Sequence, residues 1–463
     1  MKEKLVLVGA GSAMFTRGLI ADLLNRKWEA ELALVDTAPE ALDCAEKLAA
    51  KMIAARRAPI RLAASTDRRA VLKGATSIVC TVGVGGRRAW DLDVTIPRKY
   101  DVFQPVGDTA MPGGTSRALR MIPAMVAIAK DVLDLAPDAL FFNYGNPMTP
   151  VCRAIHKATG APVTGLCHGV HHVGHYLADI LGADRKAVRH TAVGINHLTW
   201  FTEFRVQGED AMPRLRRIAR ASLSAKLDRE RLGTRFAEAG TATEKEKKAV
   251  TDNPFSWELL DRFGAFPAVL DRHVIEFFPA LFHGRNSYYG KTLGVDCFSM
   301  DDVIGWGDRI YEEMRAAAFS PQPLGEDYFA RIGGEHEQVL EIIESIRGDL
   351  GRAYSANLPN QGQVPNLPPE AVLETPALAD GSGLRAVAQP PLPAGITATL
   401  AARLAWVETI VEAALEGSRE KFIQALVVDG WVGSIEAAVR LADELLAAHA
   451  SYLPQFANAR EKA

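Results

Sequence analysis

Residues 4–36 set the strongest limit on what this chain can fold into. Residues 4–8 are a short apolar run of the kind a fully buried strand shows, and Gly9-Ala10-Gly11-Ser12-Ala13-Met14 forms a turn after it. A helical pattern then runs to Leu24, and residues 31–35 make a second apolar strand that ends on Asp36. Two parallel strands need a crossover, and a helix is the usual one. The same alternation continues along the chain. Residues 39–57 read as an amphipathic helix, and 77–82 as a buried strand closed by Gly83-Val84-Gly85-Gly86. Residues 115–135 follow as a helix kinked at Pro123, then strands at 139–143 and 162–167. Alternation of this kind to about residue 200 specifies a parallel sheet covered by helices on both faces.

Gly9-x-Gly11 between a strand and a helix begins a dinucleotide fingerprint. The first glycine permits the tight turn, and the second lets backbone approach a pyrophosphate at the helix N-terminus. Met14 stands where the third glycine of G-x-G-x-x-G would be. Asp36, 25 residues after Gly11, supplies what that gap leaves uncertain. A carboxylate there binds ribose hydroxyls and repels a 2′-phosphate, which selects NAD over NADP. The residues expected around the cofactor are Gly9, Gly11, Ser12, Met14, Phe15, Asp36, Val82, Gly83 and Asn146.

The 463 residues suit two units, a Rossmann domain over 1–200 and an α/β substrate and oligomerisation domain over 201–463. Residues 214–248, rich in Arg, Lys, Glu and Ala, read as a solvated helix face. Residues 354–393, Pro- and Gly-rich with little periodicity, read as an ordered extended segment or loop. Residues 396–449 read as two or three amphipathic helices, and there is no internal repeat. A net charge of −3 gives no electrostatic reason to expect nucleic acid or an anionic membrane as partner. No uninterrupted apolar run reaches the length of a membrane span, and the N-terminus reads as a strand, not a signal peptide. Five scattered cysteines do not form a disulfide framework, so the expected compartment is the reducing cytoplasm.

Two short segments carry candidate chemistry: Gly165-Leu166-Cys167-His168-Gly169-Val170 and Gly194-Ile195-Asn196-His197. Cys167 ends a strand on the carboxyl edge of the sheet, where open α/β sheets place their ligands. It is either a buried small hydrophobe or, with His197, a ligand of a borderline-soft divalent cation with open positions left for substrate. His171, His172, His175 and His190 crowd the same stretch and individually read as core or surface residues. Asn143 and Asn146 either turn the loop before Pro147 or bind cofactor and substrate hydroxyls. Asp108-Thr109 with residues 113–117 is either a helix cap with a flexible loop or a lid over the nicotinamide. Asp271-Arg272-His273, in an apolar stretch, is a buried ion pair or part of the site.

Together Gly9-Ala10-Gly11-Ser12, Asn143-x-x-Asn146-Pro147, Gly165-Leu166-Cys167-His168 and Gly194-Ile195-Asn196-His197 resemble the NAD- and divalent-metal-dependent glycosidases of glycoside hydrolase family 4, in family order. The likeness covers nearly the whole chain, including Gly362-x-x-x-Asn366-Leu367-Pro368. It implies a fold similar to lactate and malate dehydrogenases, a homodimer or homotetramer, and an exception to two-carboxylate glycoside hydrolysis. It also implies NAD and Mn²⁺ as cofactors, with Cys167 and His197 on the metal. NAD⁺ would oxidise C3 of the sugar, the C2 proton and the C1 leaving group would be lost, water would add, and the hydride would return. Cys167-His168-Gly169-Val170 resembles the α-galacturonidase subgroup; α-glucuronidase, α-galactosidase and α-glucosidase are the alternatives within the family. The matching region holds no tyrosine, so Asp271 is the expected base; His168, next to the metal ligand, is the expected acid, with His273 second choice for either, and Asn143, Asn146, Asn196 and Arg272 are expected on substrate. Arg87, Arg88, Arg272 and Arg285 are the cations that could meet a uronate carboxylate. Outside the family, the alternatives are a dehydrogenase of a hydroxy acid or sugar, or a non-catalytic NAD sensor.

Overall fold

The computed structural model describes residues 2–26, 28–230, 243–332 and 338–459. Thirteen strands form one sheet: β1 (Lys2–Val8), β2 (Glu29–Val35), β3 (Ile60–Ser65), β4 (Ser77–Cys80), β5 (Leu140–Asn143), β6 (Val163–Gly165), β7 (Val188–Ile195), β8 (Leu198–Val206), β9 (Glu209–Asp210), β10 (Phe266–Pro267), β11 (Arg352–Pro359), β12 (Val372–Asp380) and β13 (Gly383–Ala386). Their order is β3-β2-β1-β4-β5-β6-β11-β12-β7-β8-β10. The first six are parallel, in the order of a dinucleotide-binding sheet. Every later pairing along the order is antiparallel.

The apolar run of β1 shows why the sheet must be covered twice. Leu5 and Leu7 enter a core with helices Thr16–Asn25, Pro39–Arg56 and Gln338–Arg347. Val6 and Val8 point the other way, into a core with helices Met111–Leu135, Met148–Thr159 and Ala394–Glu416. A strand buried on both faces needs no alternation of apolar and polar residues.

Several expectations change. Residue 200 falls inside β8, so the division placed there cuts a strand of one continuous sheet. Residues 113–117 are not a loop; they lie in the first turns of helix Met111–Leu135, which runs through Pro123. Gly113 and Gly114 let that helix press on the preceding segment, since a Cβ on either would meet the Gly107 carbonyl oxygen or Thr109 backbone at 2.5 and 2.4 Å. The segment 354–393 holds most of β11, all of β12 and β13, and only its ends are irregular. β3 has no counterpart in the sequence reading. Of residues 214–248, those from 231 to 242 lie outside the described residues; the rest belong to helices Met212–Glu230 and Glu244–Asp252, with Thr243 capping the second. The C-terminal helices are three: Ala394–Glu416, Arg419–Asp429 and Ile435–Ala448. The first is long and apolar enough to cross a membrane by length and composition. It nevertheless packs in the core and carries Arg403, buried in an ion pair with Asp429 at 2.6 Å.

Candidate active site

At the carboxyl end of β1 the chain turns through Gly9, whose φ of +91° belongs to glycine. A Cβ there would lie 2.9 Å from the Val82 nitrogen, so the turn sits directly on the loop after β4. Asp36, at the end of β2, accepts from the Gly11 N–H (2.8 Å) and the Ala38 N–H (3.0 Å). This ties the carboxylate to the loop it is expected to serve. The following helix starts at Thr16, whose hydroxyl donates to the Ala10 carbonyl (2.7 Å), and Met14 stands exposed beside it. The Phe15 ring meets Tyr144 (centroids 5.4 Å, tilted) and His168 (6.3 Å), and Tyr144 and His168 stack on each other (5.7 Å), joining three strand-end loops.

Cys167 and His197 do not end neighbouring strands. β11 and β12 lie between β6 and β7, and a single register row crosses all four as Gly165, Asn357, Glu374 and Gly194. Above that row the two loops converge, bringing Cys167 Sγ to 3.5 Å from His197 Nε2. His197 sits in the β7–β8 turn at φ +65°, a strained conformation for a side chain-bearing residue. Its Nδ1 lies 2.9 Å from Thr109 Oγ1, and the Thr109 hydroxyl donates to Asp108 Oδ1 (2.7 Å). Because Thr109 gives its proton to the carboxylate, its oxygen accepts from Nδ1–H. The Nε2 lone pair is then left facing Cys167, the tautomer a metal ligand needs.

Asp108 anchors the other side. It accepts from Asn146 Nδ2 (2.9 Å), while Arg117 donates to the Asn146 carbonyl (3.0 Å). Burial alone would raise its carboxyl, but His197, His273, Arg117 and the Asn146 bond outweigh it and hold it down to about 2. The His273 ring lies 4.2 Å from that of His197, tilted by 43°, and its buried Nδ1 has no hydrogen-bond partner. Burial and then His197 push His273 well below the usual imidazole range, so it is neutral. Donor atoms of Asp108, His197 and His273 all lie within 4.8 Å of one another. The Cys167 thiol is pushed up to about 12 by burial and by Glu374, while the Gly169 N–H (3.4 Å) opposes this. Asp108, His197 and His273 offer one carboxylate and two imidazoles to a divalent cation, and Cys167 Sγ, 3.5 Å from His197 Nε2, adds a thiol that a bound cation's charge would deprotonate.

Three expected site residues have other work. Asn143 is fully buried; its amide accepts from the Gly145 N–H (2.9 Å) and donates to the Gly145 carbonyl (3.0 Å), so it shapes the loop before Pro147. Asn196 is likewise buried, its Nδ2 3.4 Å from Glu374 behind the ligands. Asp271 is buried and accepts from the Phe255 N–H (3.0 Å), the Ser256 N–H (2.7 Å), the Ser256 hydroxyl (2.6 Å) and Tyr288 (2.8 Å). Those four donors fill its lone pairs and clamp the N-terminus of helix Pro254–Phe263, which leaves it no reach as a base. Tyr144 and Glu374 were missed as site residues, and Asp108-Thr109 was read as a cap or a lid and not as the pair that fixes the His197 ring. Only Asp108-Thr109 gave a sequence signal, and Glu374 gave none. Arg87 and Arg88 pair with Asp308, and Arg285 lies over the Phe103 ring. Arg272 keeps a buried Nε without a hydrogen-bond partner beside His273.

Comparison with known proteins decides the family. Family 4 glycosyl hydrolase matches residues 4–183, and Family 4 glycosyl hydrolase C-terminal domain matches residues 192–432. The chain belongs to glycosyl hydrolase family 4. It is a glycosidase with an α/β fold, in which a Rossmann-type sheet is extended by the later strands. An alpha-glucosidase of Erwinia rhapontici is 31% identical, covering 98% of this chain and 99% of its own. An alpha-galactosidase of Rhizobium meliloti is also 31% identical (99% and 91% covered), and an alpha-galacturonidase of Bacillus subtilis is 27% identical (92% of each). The lplD protein of Bacillus subtilis superposes with a TM-score of 0.77 at 26% identity, covering 96% of this chain and 100% of its own. A 6-phospho-alpha-glucosidase from gut microorganisms, in complex with NAD and Mn²⁺, shares the fold at 18% identity and a TM-score of 0.78, over 98% and 99% of the two chains. Malate dehydrogenase of Cryptosporidium parvum shares it more distantly, with a TM-score of 0.50 at 13% identity over 90% and 99%.

Proposed function

We propose that this family 4 glycosidase releases α-linked galacturonic acid from a small glycoside, with NAD and Mn²⁺ as cofactors. The observation that carries the substrate class is Arg272. A buried guanidinium nitrogen without a partner is costly, and a substrate carboxylate beside His273 would satisfy it. The Cys167-His168-Gly169-Val170 sequence supports the same subgroup. A neutral α-galactoside or α-glucoside is the second reading, favoured by the two relatives at 31% identity.

The loop 9–15 with Asp36 would hold the dinucleotide, and Cys167 and His197 the cation. When bound, the dinucleotide supplies hydride transfer at C3 and the cation supplies Lewis acidity at the C2 and C3 oxygens. Around them, Asp108 and Thr109 fix the His197 tautomer and Arg272 orients the uronate. His273, neutral and with Nδ1 unpartnered, replaces Asp271 as the group that removes the C2 proton. His168, at the start of helix Gly169–Leu181 and stacked on Tyr144, donates to the leaving oxygen. All five cysteines are free, which suits a cytoplasmic enzyme, and a homodimer or homotetramer is the assembly we expect.

The test is hydrolysis of p-nitrophenyl α-glycosides with NAD⁺, Mn²⁺ and a reductant. The α-galacturonide should be cleaved with the highest kcat/KM, and Arg272→Gln should raise its KM while sparing kcat. Faster cleavage of the neutral α-galactoside or α-glucoside would overturn the uronide assignment. Stoichiometric NADH accumulation in place of hydrolysis would make the protein a dehydrogenase.

A further inference from the structure

The loop that carries Asp108 and Thr109 is gripped by residues from far along the chain. It enters the left-handed region twice, at Gly107 (φ +62°) and at Met111 (φ +61°). Glycine adopts that conformation freely, but Met111 bears a fully buried side chain and keeps it only where the surroundings enforce it. Each bend has its backbone N–H against a buried carboxyl. Glu276 Oε1 accepts from the Gly107 N–H (2.6 Å) and the Val106 N–H (3.2 Å). The Met111 N–H bonds the Asp429 carboxyl. Residues 107–111 are therefore held at both ends, with Asp108 and Thr109 between.

The two acids belong to one buried frame. Asp429 ends helix Arg419–Asp429 and accepts from Arg403 (2.6 Å). Arg403 also donates to the Phe277 carbonyl (3.1 Å), and Trp431 Nε1 donates to the Glu276 carbonyl (2.8 Å). All four side chains are buried. Glu276 lies in the 3₁₀-helix Ile275–Phe277, directly after the short helix Asp271–Val274 that carries His273. The C-terminal helices thus fix the loop facing His197 and the turn following His273 together. Burial, then the charge of Asp108, raises the Glu276 carboxyl well above its usual range, so it serves as a neutral acceptor. Its Oε2 has no partner among the described residues, a cost that packing alone does not require.

We propose that Glu276 and Asp429 are positioning residues for the cation site, bracketing residues 107–111 so that the Thr109 hydroxyl meets His197 Nδ1 and the Nε2 lone pair stays free for the cation. The inference rests on the reading of His197 as a cation ligand. Thr109 Oγ1 must stay 2.9 Å from His197 Nδ1 and 2.7 Å from Asp108 Oδ1 at once. Hydrogen bonds weaken steeply with misalignment, so a loop free to relax at either end would lose that double contact. The two acids act through Asp108 and Thr109, as partners behind a metal ligand do, and such partners are worth about 10–100-fold in metal affinity.

¹⁵N NMR of the histidine-labelled, metal-free full chain reads the His197 ring directly, with His197→Ala identifying its signals. Wild type should carry the ring proton on Nδ1. Glu276→Ala and Asp429→Ala should each move it toward Nε2 and weaken Mn²⁺ binding, followed by the EPR signal of free Mn²⁺, about tenfold. Glu276→Gln keeps the acceptor for both N–H groups and should restore both readings. A purely structural role would lower the melting temperature yet leave the ring and the Mn²⁺ affinity of the folded variants unchanged, and that result rejects the proposal. Should an alanine variant not fold, Glu276→Met, which fills the space without an oxygen acceptor, must show the same ring shift; an unshifted ring rejects the proposal. If wild type binds no Mn²⁺, the metal reading fails, and the NMR comparison still decides whether the two acids set the His197 ring.

Discussion

The parallel and antiparallel halves of the sheet build their shares of the active site in different ways. The parallel half, β3 to β6, works mainly through backbone. Gly9 turns the chain onto Val82, Asp36 holds two N–H groups, and each element follows its predecessor along the sequence. The antiparallel half works through buried side chains. Asn196 and Thr199 meet Glu374, which joins from 177 residues beyond His197, and Asp271 gathers four donors. A loop made of backbone tolerates side-chain change and sets which cofactor fits. A network of buried polar groups tolerates almost none, because each lost partner leaves another unsatisfied.

The largest difference between the halves should appear at their seam. Cys167→Ser and His197→Ala each remove a metal ligand, and Lewis-acid stabilisation worth several kcal/mol goes with it. Turnover should fall by about 10³-fold or more, with NAD binding nearly unchanged. Asp108→Asn acts one step back, by loosening the hydroxyl that fixes the His197 tautomer. A loss of about 10–100-fold in Mn²⁺ affinity is expected. Full turnover in the Cys167 or His197 variant would dissolve the seam as the site of chemistry.

The next effect concerns Asp271, and it is structural. Asp271→Ala strands two N–H groups and two hydroxyls at the start of helix Pro254–Phe263, which should cost about 3 kcal/mol in chemical denaturation. Residual folded enzyme should still exchange deuterium at C2 of the substrate. His273→Gln should reverse the pattern, losing exchange with little change in stability. If Asp271→Asn keeps its midpoint yet abolishes exchange, the base is Asp271 after all.

In the parallel half a single carboxylate should decide the cofactor. NAD⁺ should support turnover far better than NADP⁺, and Asp36→Ala should narrow that preference about tenfold, as removal of one repulsive charge allows. Equal activity of wild type with both cofactors would show that the β2 carboxylate does not reach the ribose.

The same contrast explains how much could be read from the chain. Gly9, Gly11 and Asp36 were legible because local geometry ties them to a turn and a strand end a fixed distance apart. Cys167 and His197 were legible from residue type and position as one of two readings, the family resemblance chose between them, and the two strands between their segments were not foreseen. β11 and β12 come from a stretch whose prolines and glycines hide strands that gain their partners only in the tertiary fold. Asn143 and Asp271 look like site residues in sequence because polar groups in apolar surroundings signal function or internal bonding equally. Only their hydrogen-bond partners separate the two cases.

Glu374 offers the smallest effect and the finest test of the buried network. It is fully enclosed, accepts from the Thr199 hydroxyl (2.6 Å), and its Oε1 has no partner. Burial raises its carboxyl to about 7, against the Thr199 and Asn196 bonds that lower it. In the unfolded chain the same group titrates at about 4.3. Between those values the folded state holds the proton and the unfolded state does not, so stability must fall as pH rises through this window. The loss should be on the order of 1 kcal/mol once relaxation around the charge is allowed for, or roughly 1–2 °C in melting temperature for a chain of this size. Glu374→Gln keeps the shape and one acceptor but cannot ionise. Measured on metal-free protein, its melting temperature should decline less than that of wild type between pH 4.5 and 7, and exceed it above pH 7. Asp429 and Glu276, whose carboxyls are also raised, remain in both proteins and cancel in the difference. Parallel slopes for the two proteins would show that Glu374 is already ionised in the folded chain, with a counter-charge from the antiparallel half beside it.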